Sequence, residues 1–307
     1  MRLVFAGTPA PAVPSLRRLA ASVHDIAAVV TRRDAPLGRK RVMTPSPVST
    51  AASELGLDTI RTDRLDTETS ERIAGLAPDL GVIVAYGGLV REPLLSGPRY
   101  GWINLHFSLL PRWRGAAPVQ HALIAGDAET GASVFRLVPE LDAGDVYGEI
   151  VHRPASGATA GEVLAALADE GATLLAHVVD EIAAGTAVAR PQQGEPTYAA
   201  KLGDDDGRIR WDEPAEAVLG RIRGVTPEPG AHTTVDGTRL KVLGVRGVGD
   251  DGPRLPPGAI AVRDRIVVVG TATLPIALDR VQPAGRPAMS AGDWLRGLRT
   301  DTPVAGS

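Results

Sequence analysis

The sequence of 307 residues contains no cysteine and few aromatic residues. The missing cysteine excludes disulfide bonds, thiolate metal sites and a cysteine nucleophile. Aromatic residues make up only 4% of the chain, so the core must consist mainly of aliphatic side chains. No run of 18 apolar residues is present, and the apolar run before Gly7 is too short for a signal peptide. We therefore expect a cytoplasmic protein without a membrane span.

A strong charge of either sign is also absent, because the net charge is −3. This balance argues against a general nucleic-acid binder. Residues 31–45 are different, since they carry Arg32, Arg33, Arg39, Lys40 and Arg41 against Asp34 alone. A local basic patch on an acidic protein predicts one defined anionic partner.

Strand and helix patterns alternate through the first half of the chain. Apolar strand patterns cover residues 2–7, 25–32, 80–88, 102–111, 131–139 and 145–154. Helical patterns cover residues 14–22, 46–56, 118–127 and 159–185. Thr159 and Glu162 have the spacing of a capping box, which marks the start of the last helix. The alternation predicts an open, mostly parallel α/β sheet.

The pattern changes after Gly185. Residues 189–206 are polar and contain Pro and Gly, which is typical of a linker. Beyond them we predict one short helix at 214–225 and hairpins at 235–240 and 262–270, which indicate a small β-barrel or sandwich. The predicted domains are therefore residues 1–188 and 207–307.

Asn104 and His106 stand two residues apart on a predicted strand, so their side chains share one face. Ligands of open α/β sheets bind at the carboxyl ends of the strands. An amide beside an imidazole can polarise a carbonyl and stabilise an oxyanion. Taken alone, however, the N-x-H spacing favours a buried Asn–His pair bonded to the backbone over a reactive site.

Other polar groups near this strand leave several alternatives open. Arg112 and Arg114 follow the strand and suit either substrate contact or a solvated surface. Asp142 lies in a turn and could fix the tautomer of a nearby histidine, form an ordinary turn or bind a cation. Ser108 is not expected to be a nucleophile, because no G-x-S-x-G motif surrounds it. The G-x-G-x-x-G dinucleotide motif is missing as well.

Several segments, in this order, resemble the methionyl-tRNA formyltransferase family. They are "FAGTPAPAVPSL", "APLGRKRVMTPSPV", "VIVAYGGLV", "INLHFSLLPRWRGAAPVQHALIAGDAETG", "LDAGD", "TYAAKL", "RIRW" and "QPAGRPAMSAGDWL". The resemblance covers nearly the whole chain. It implies a Rossmann-like formyltransferase fold followed by an OB-like barrel that binds tRNA. The implied reaction moves the formyl group of 10-formyltetrahydrofolate to the α-amine of initiator Met-tRNA, in a monomer that needs no metal.

The resemblance also implies roles for individual residues. It makes Asn104, His106 and Asp142 the catalytic residues, and Arg39, Lys40 and Arg41 the tRNA contacts of an inserted loop. It places the folate contacts at Val84, Ala85, Tyr86, Gly87, Leu89, Ser108, Leu109, Leu110 and Pro111. The chain departs from the family pattern at Pro11, at Phe107 and in "GGLVREPLL" after the folate strand. Two alternatives are a related formyltransferase or hydrolase with another acceptor, and an inactive RNA- or folate-binding module.

Overall fold

The six predicted apolar strands of the first half, together with one strand that the sequence patterns missed, form one seven-stranded sheet. The computed structural model describes residues 1–38, 40–248, 254–298 and 302–306. In chain order, the strands up to residue 199 are β1 (Arg2–Gly7), β2 (Asp25–Thr31), β3 (Ala35–Leu37), β4 (Val42–Thr44), β5 (Thr59–Arg61), β6 (Leu80–Val84), β7 (Trp102–His106), β8 (Arg114–Gly115), β9 (Thr130–Arg136), β10 (Val146–His152) and β11 (Tyr198–Ala199).

The large sheet has the order β10-β9-β7-β6-β1-β2-β5. Neighbouring strands from β7 to β5 pair in parallel, whereas β9 and β10 pair antiparallel. The mostly parallel α/β sheet is thus confirmed. β6 ends at Val84, earlier than predicted, because Ala85 has a φ of +47° and leaves the extended conformation.

Seven α-helices are described: α1 (Val13–Ala20), α2 (Pro47–Glu54), α3 (Thr67–Gly75), α4 (Pro118–Ala125), α5 (Ala160–Ala184), α6 (Ala215–Gly224) and α7 (Ala291–Arg296). The predicted capping box forms, since the Thr159 amide donates to Glu162 Oε2 over 2.8 Å. The sequence patterns missed α3, which buries only Ile73 and therefore shows no apolar period. They also missed β5, α7 and the β3–β4 ribbon.

The strands beyond residue 199 form an antiparallel sheet of OB-like type. They are β12 (His232–Val235), β13 (Thr238–Gly247), β14 (Ile260–Arg263), β15 (Ile266–Val269), β16 (Ile276–Pro283) and β17 (Met289–Ser290). Both predicted hairpins are present, with turns at Asp236–Gly237 and Asp264–Arg265. Trp211 packs in the core of this sheet, and its Nε1 donates to Thr233 Oγ1 over 2.9 Å.

The chain divides into two compact units that are not simple halves of the sequence. Unit 1 contains Met1–Ala116, Glu129–Arg153 and Leu164–Ala199, and unit 2 contains Ala117–Ala128, Pro154–Val163 and Ala200–Ser307. α4 therefore belongs to the same unit as α6 and the antiparallel sheet. Among the helices that the structure describes, none combines the length and hydropathy needed to cross a membrane.

Candidate active site

The candidate site lies at the carboxyl end of β7, in the middle of the large sheet. Ile83 of β6 is in register with Asn104, and β9 flanks the other edge of β7, where Ser133 is in register with His106. Asn104 and His106 project to the same side of the strand because they are two residues apart. The open end of a parallel sheet is where such folds bind ligands.

His106 is almost completely buried, and its two ring nitrogens have different partners. Nε2 lies 2.8 Å from the carbonyl oxygen of Trp113. Since a carbonyl can only accept, Nε2 carries the hydrogen and donates it. Nδ1 faces Asp142, with 3.8 Å between Nδ1 and Oδ2. Nδ1 is therefore the nitrogen that can gain or lose a proton.

Asp142 is also buried, with 9% of the residue exposed. Its Oδ2 accepts the backbone N–H of Gly115 over 2.8 Å, so one carboxylate oxygen is fixed by the main chain. The backbone of Asp142 has a φ of +46°, a conformation that few side-chain-bearing residues adopt. At Gly144 the same loop approaches β9 so closely that a Cβ would overlap the carbonyl oxygen of Arg136.

Burial and charge act in opposite directions on His106. Burial lowers the pKa of His106 below its ordinary value because it disfavours the charged imidazole. The negative charge of Asp142 and the bond to the Trp113 carbonyl raise the pKa and offset part of that effect. The result favours a neutral imidazole whose Nδ1 can accept a proton beside a carboxylate, which is suited to general acid–base chemistry.

Asn104 contributes an acceptor without a partner. Its Oδ1 is buried and makes no hydrogen bond within the described structure. A buried acceptor left unsatisfied costs about 1–3 kcal/mol. Such an atom two residues from His106 marks a position where the N–H of a bound molecule would be stabilised.

The residues that follow β6 divide into exposed and buried groups. Ala85, Gly87 and Leu89 are exposed, and Ala85 and Gly87 both have positive φ angles. Tyr86 is only 2% exposed, and burial raises the pKa of its hydroxyl. Its ring belongs to a core cluster. Val84 is buried at the end of the strand.

The turn after β7 is tied to β9. The buried Ser108 hydroxyl donates to the carbonyl oxygen of Arg112 over 2.6 Å, which engages the only side-chain proton of Ser108. Ser133 Oγ accepts the N–H of Leu110 over 3.2 Å and donates to the Ser108 carbonyl over 2.7 Å. Pro111 is buried, Leu109 is partly buried, and Leu110 borders an open cavity of about 660 Å³.

The basic loop forms the ribbon of β3 and β4, at a distance along the chain from β7. Arg39 lies outside the described residues, and Lys40 and Arg41 are exposed in the turn of the ribbon. The ribbon also exposes Leu37, Val42 and Met43, at 66%, 60% and 59% of their surface. The charges of this loop predicted an anionic partner, but they gave no indication that apolar side chains would be exposed beside them.

Sequence patterns missed the groups that hold the candidate site together. The Trp113 carbonyl and the Gly115 amide are backbone groups, so the identity of the residue gives no indication of their role. Arg114 donates to Gln192 and therefore serves the scaffold, while the Arg112 guanidinium lies 5.7 Å from the Trp113 ring.

In the part of the chain that the structure describes, no group of three His, Asp or Glu residues could hold a metal ion.

Two family models match the chain. "Formyl transferase" matches residues 1–179, and "Formyl transferase, C-terminal domain" matches residues 201–299. Curated relatives named methionyl-tRNA formyltransferase match the chain over nearly its full length. That of Clavibacter sepedonicus is 60% identical over 99% of this chain and 100% of its own, and that of Leifsonia xyli subsp. xyli is 61% identical over 97% of each chain.

Solved structures share the fold at much lower identity. The methionyl-tRNA formyltransferase from Clostridium thermocellum is 16% identical, with a TM-score of 0.59 over 82% of this chain and 95% of that chain. The matches of both family models and the identity of the full-length relatives lead to one assignment. The chain belongs to the methionyl-tRNA formyltransferase family.

Proposed function

We propose that this protein transfers the formyl group of 10-formyltetrahydrofolate to the free α-amino group of initiator Met-tRNA. The observation that carries this proposal is the grouping of Asn104, whose Oδ1 is buried, with the buried His106 and Asp142 at the carboxyl end of β7. These three are the proposed catalytic residues. The names of the relatives agree with methionyl-tRNA as the acceptor.

The proposed step exchanges one C–N bond for another. The α-amine attacks the formyl carbon, and negative charge grows on the formyl oxygen. The Asn104 amide donates to that oxygen, while its free Oδ1 accepts an N–H of the attacking amine. A preorganised donor at a developing oxyanion contributes roughly 3–4 kcal/mol.

Proton transfer completes the step. His106 Nδ1 takes the proton of the attacking amine, and Asp142 stabilises the imidazolium that forms at 3.8 Å. The same proton then passes to N10 of the folate as its bond to the formyl carbon breaks. The Nε2–H bond to Trp113 keeps the ring in one orientation throughout.

The folate would lie along the ends of β6 and β7. We propose contacts from Val84, Ala85, Tyr86, Gly87, Leu89, Ser108, Leu109, Leu110 and Pro111. The exposure of Ala85 and Gly87 just after β6 supports the fit. The unsatisfied Asn104 Oδ1 supports a nitrogen-containing ligand beside His106.

The basic ribbon is the proposed tRNA contact, through Arg39, Lys40 and Arg41. Cationic side chains bind phosphates and position the nucleic acid. Arg39→Ala should therefore raise the KM for tRNA or lower kcat without changing folate binding. Equal loss of folate affinity in a binding titration would contradict this assignment.

We also propose the organisation of the whole chain. Residues 1–188 would form the catalytic domain, 189–206 the connection, and 207–307 a second tRNA-binding domain. The protein would act as a cytoplasmic monomer and use no metal. Sedimentation with and without tRNA tests the monomer.

One assay tests the function. Purified protein is incubated with 10-formyltetrahydrofolate and either charged initiator tRNA or amino-sugar nucleotides, and formylated products are measured by mass spectrometry. We expect N-formylmethionyl-tRNA. Formylation of the sugar nucleotide alone, or release of formate alone, would overturn the proposal in favour of a related transferase or hydrolase.

A further inference from the structure

Residues 190–199 form hydrogen bonds with both loops of the candidate site, and we call this segment the strap. At one end, Arg190 and Val146 exchange two backbone hydrogen bonds of 2.9 and 2.8 Å. At the other end, β11 pairs in parallel with β8. The strap is thus fixed to the start of β10, which follows the Asp142 loop, and to the chain that follows β7.

Gln192 lies in the strap, and both the nitrogen and the oxygen of its side-chain amide form hydrogen bonds with residues outside the strap. Nε2 donates to the carbonyl oxygens of Asp142 and Gly144, over 2.8 and 2.9 Å. Oε1 accepts from the Arg114 guanidinium, over 2.6 and 3.2 Å. One side chain therefore joins the Asp142 loop to the segment whose Gly115 amide binds the Asp142 carboxylate.

Thr197 holds the other partner of the site. Its Oγ1 accepts the backbone N–H of Trp113 over 2.9 Å. The carbonyl of Trp113 in turn accepts the Nε2–H of His106 over 2.8 Å. Trp113 therefore connects Thr197 to the His106 imidazole through two consecutive hydrogen bonds.

The two backbones that the strap holds are both strained. Asp142 has a φ of +46° and Trp113 a φ of +58°, and neither is glycine. Each such residue costs of order 1–3 kcal/mol and persists only where its surroundings over-determine it. Gln192 and Thr197 supply hydrogen bonds at these two positions, so the strap keeps Asp142 and His106 facing each other.

We infer that Gln192 and Thr197 are positioning residues for formyl transfer, acting through Asp142 and through the Trp113 carbonyl on His106. This inference rests on the proposed function for its kinetic consequence. Its structural consequence, the environment of His106, is independent of any substrate. A polar segment whose composition indicates only a linker would then be a part of the catalytic apparatus.

The first test replaces Gln192 with Met, which keeps its length and removes every hydrogen bond. The control is Gln193→Met, on the exposed neighbouring residue of the same type. For Gln192→Met we expect kcat to fall about 10- to 100-fold, because small misplacements of catalytic groups have effects of that size. KM for both substrates should stay within about two-fold, since neither is bound by Gln192.

The second readout is the titration of His106 by NMR in the free protein. Loss of Gln192 lets the Asp142 carboxylate move away, so the pKa of His106 should fall relative to the wild type and to Gln193→Met. A fall in kcat without a change in that titration would overturn the inference and leave Gln192 a purely structural residue. Unchanged kcat in a folded Gln192→Met protein would overturn it as well.

Thr197→Val keeps the inference testable if the Gln192 variant does not fold. Val has the same shape but cannot accept the Trp113 N–H. We expect the same pattern, a lower kcat and a lower pKa of His106, with Thr186→Val as the matched control. Identical kinetics and titrations in the two Thr variants would contradict the inference. If the wild type does not formylate Met-tRNA, the proposed function fails, whereas the titrations still decide the role of the strap.

Discussion

Left-handed backbone at residues other than glycine occurs in both units, but it is held in different ways. In unit 2, Asp236, Asp264 and Arg265 adopt it in exposed hairpin turns. In unit 1, Arg41, Ala77 and Ala85 also adopt it at exposed positions, but Trp113 and Asp142 adopt it beside a buried histidine, held by side chains distant in sequence. In the exposed hairpin turns the conformation follows from the local sequence. At Trp113 and Asp142 it depends on hydrogen bonds from residues that are distant in sequence. The difference indicates where the chain maintains strain in order to orient reactive groups.

The largest expected contrast is between Asp142→Asn and Asp264→Asn. Asn tolerates the left-handed conformation, so both variants keep the backbone. Asp142→Asn removes the charge that faces His106, and we expect kcat to fall about 10²- to 10⁴-fold. Asp264→Asn should leave kcat unchanged. Steady-state kinetics of both proteins measure the difference, and similar rates would show that the Asp142 charge has no role in the reaction.

A second contrast compares Gly144→Ala with Gly292→Ala. A Cβ at Gly144 would overlap the Arg136 carbonyl, so we expect a loss of about 1–3 kcal/mol in the free energy of unfolding, and a lower kcat. At Gly292, in α7, a Cβ finds ordinary contact distances, and Ala should stabilise the helix by up to about 1 kcal/mol. Denaturant unfolding tests both, and equal effects at the two positions would show that the Asp142 loop can move away from β9.

A third variant acts on unit 2 alone. Trp211→Phe removes the donor that binds Thr233 Oγ1 in the core, and it should cost about 1–3 kcal/mol of stability. We expect a lower melting temperature and an unchanged kcat at temperatures where the protein remains folded. A large loss of kcat without loss of stability would mean that this core residue influences the reaction directly.

The smallest effect concerns pH. The folded-state pKa of His106 lies below its unfolded value of 6.5, because burial disfavours the charged ring. The unfolded chain therefore binds more protons between the two values, and stability falls as the pH decreases through 6.5 toward the folded pKa. His106→Gln should flatten this slope. Urea titrations of the wild type and the variant at several pH values test this, and parallel slopes in the two proteins would contradict it.

Much of the fold was predictable because its signals are local. The apolar runs of β1, β2, β6 and β7 and the two hairpins of unit 2 were predicted from period and turn residues. α3 was not, since its residues are mostly polar and only Ile73 is buried. The β3–β4 ribbon was also missed, because its short strands are solvated.

The candidate site was predictable only where side chains carry the signal. Asn104 and His106 follow from alternation on one strand, and Asp142 follows from resemblance to a family. The Trp113 carbonyl and the Gly115 amide could not be predicted, because any residue type supplies them. Gln192 and Thr197 lie in a polar segment whose composition indicates only a linker, and their contacts span 50 and 84 residues of sequence.

The position of the strap has a consequence for the newly made chain. Synthesis proceeds from the amino terminus, so His106, Trp113 and Asp142 leave the ribosome well before Gln192 and Thr197. Until residue 199 has emerged, the loops that carry the reactive groups lack the side chains that fix their strained backbones. On this account the nascent protein acquires its reactive geometry late, after the sheet that carries it has been synthesised.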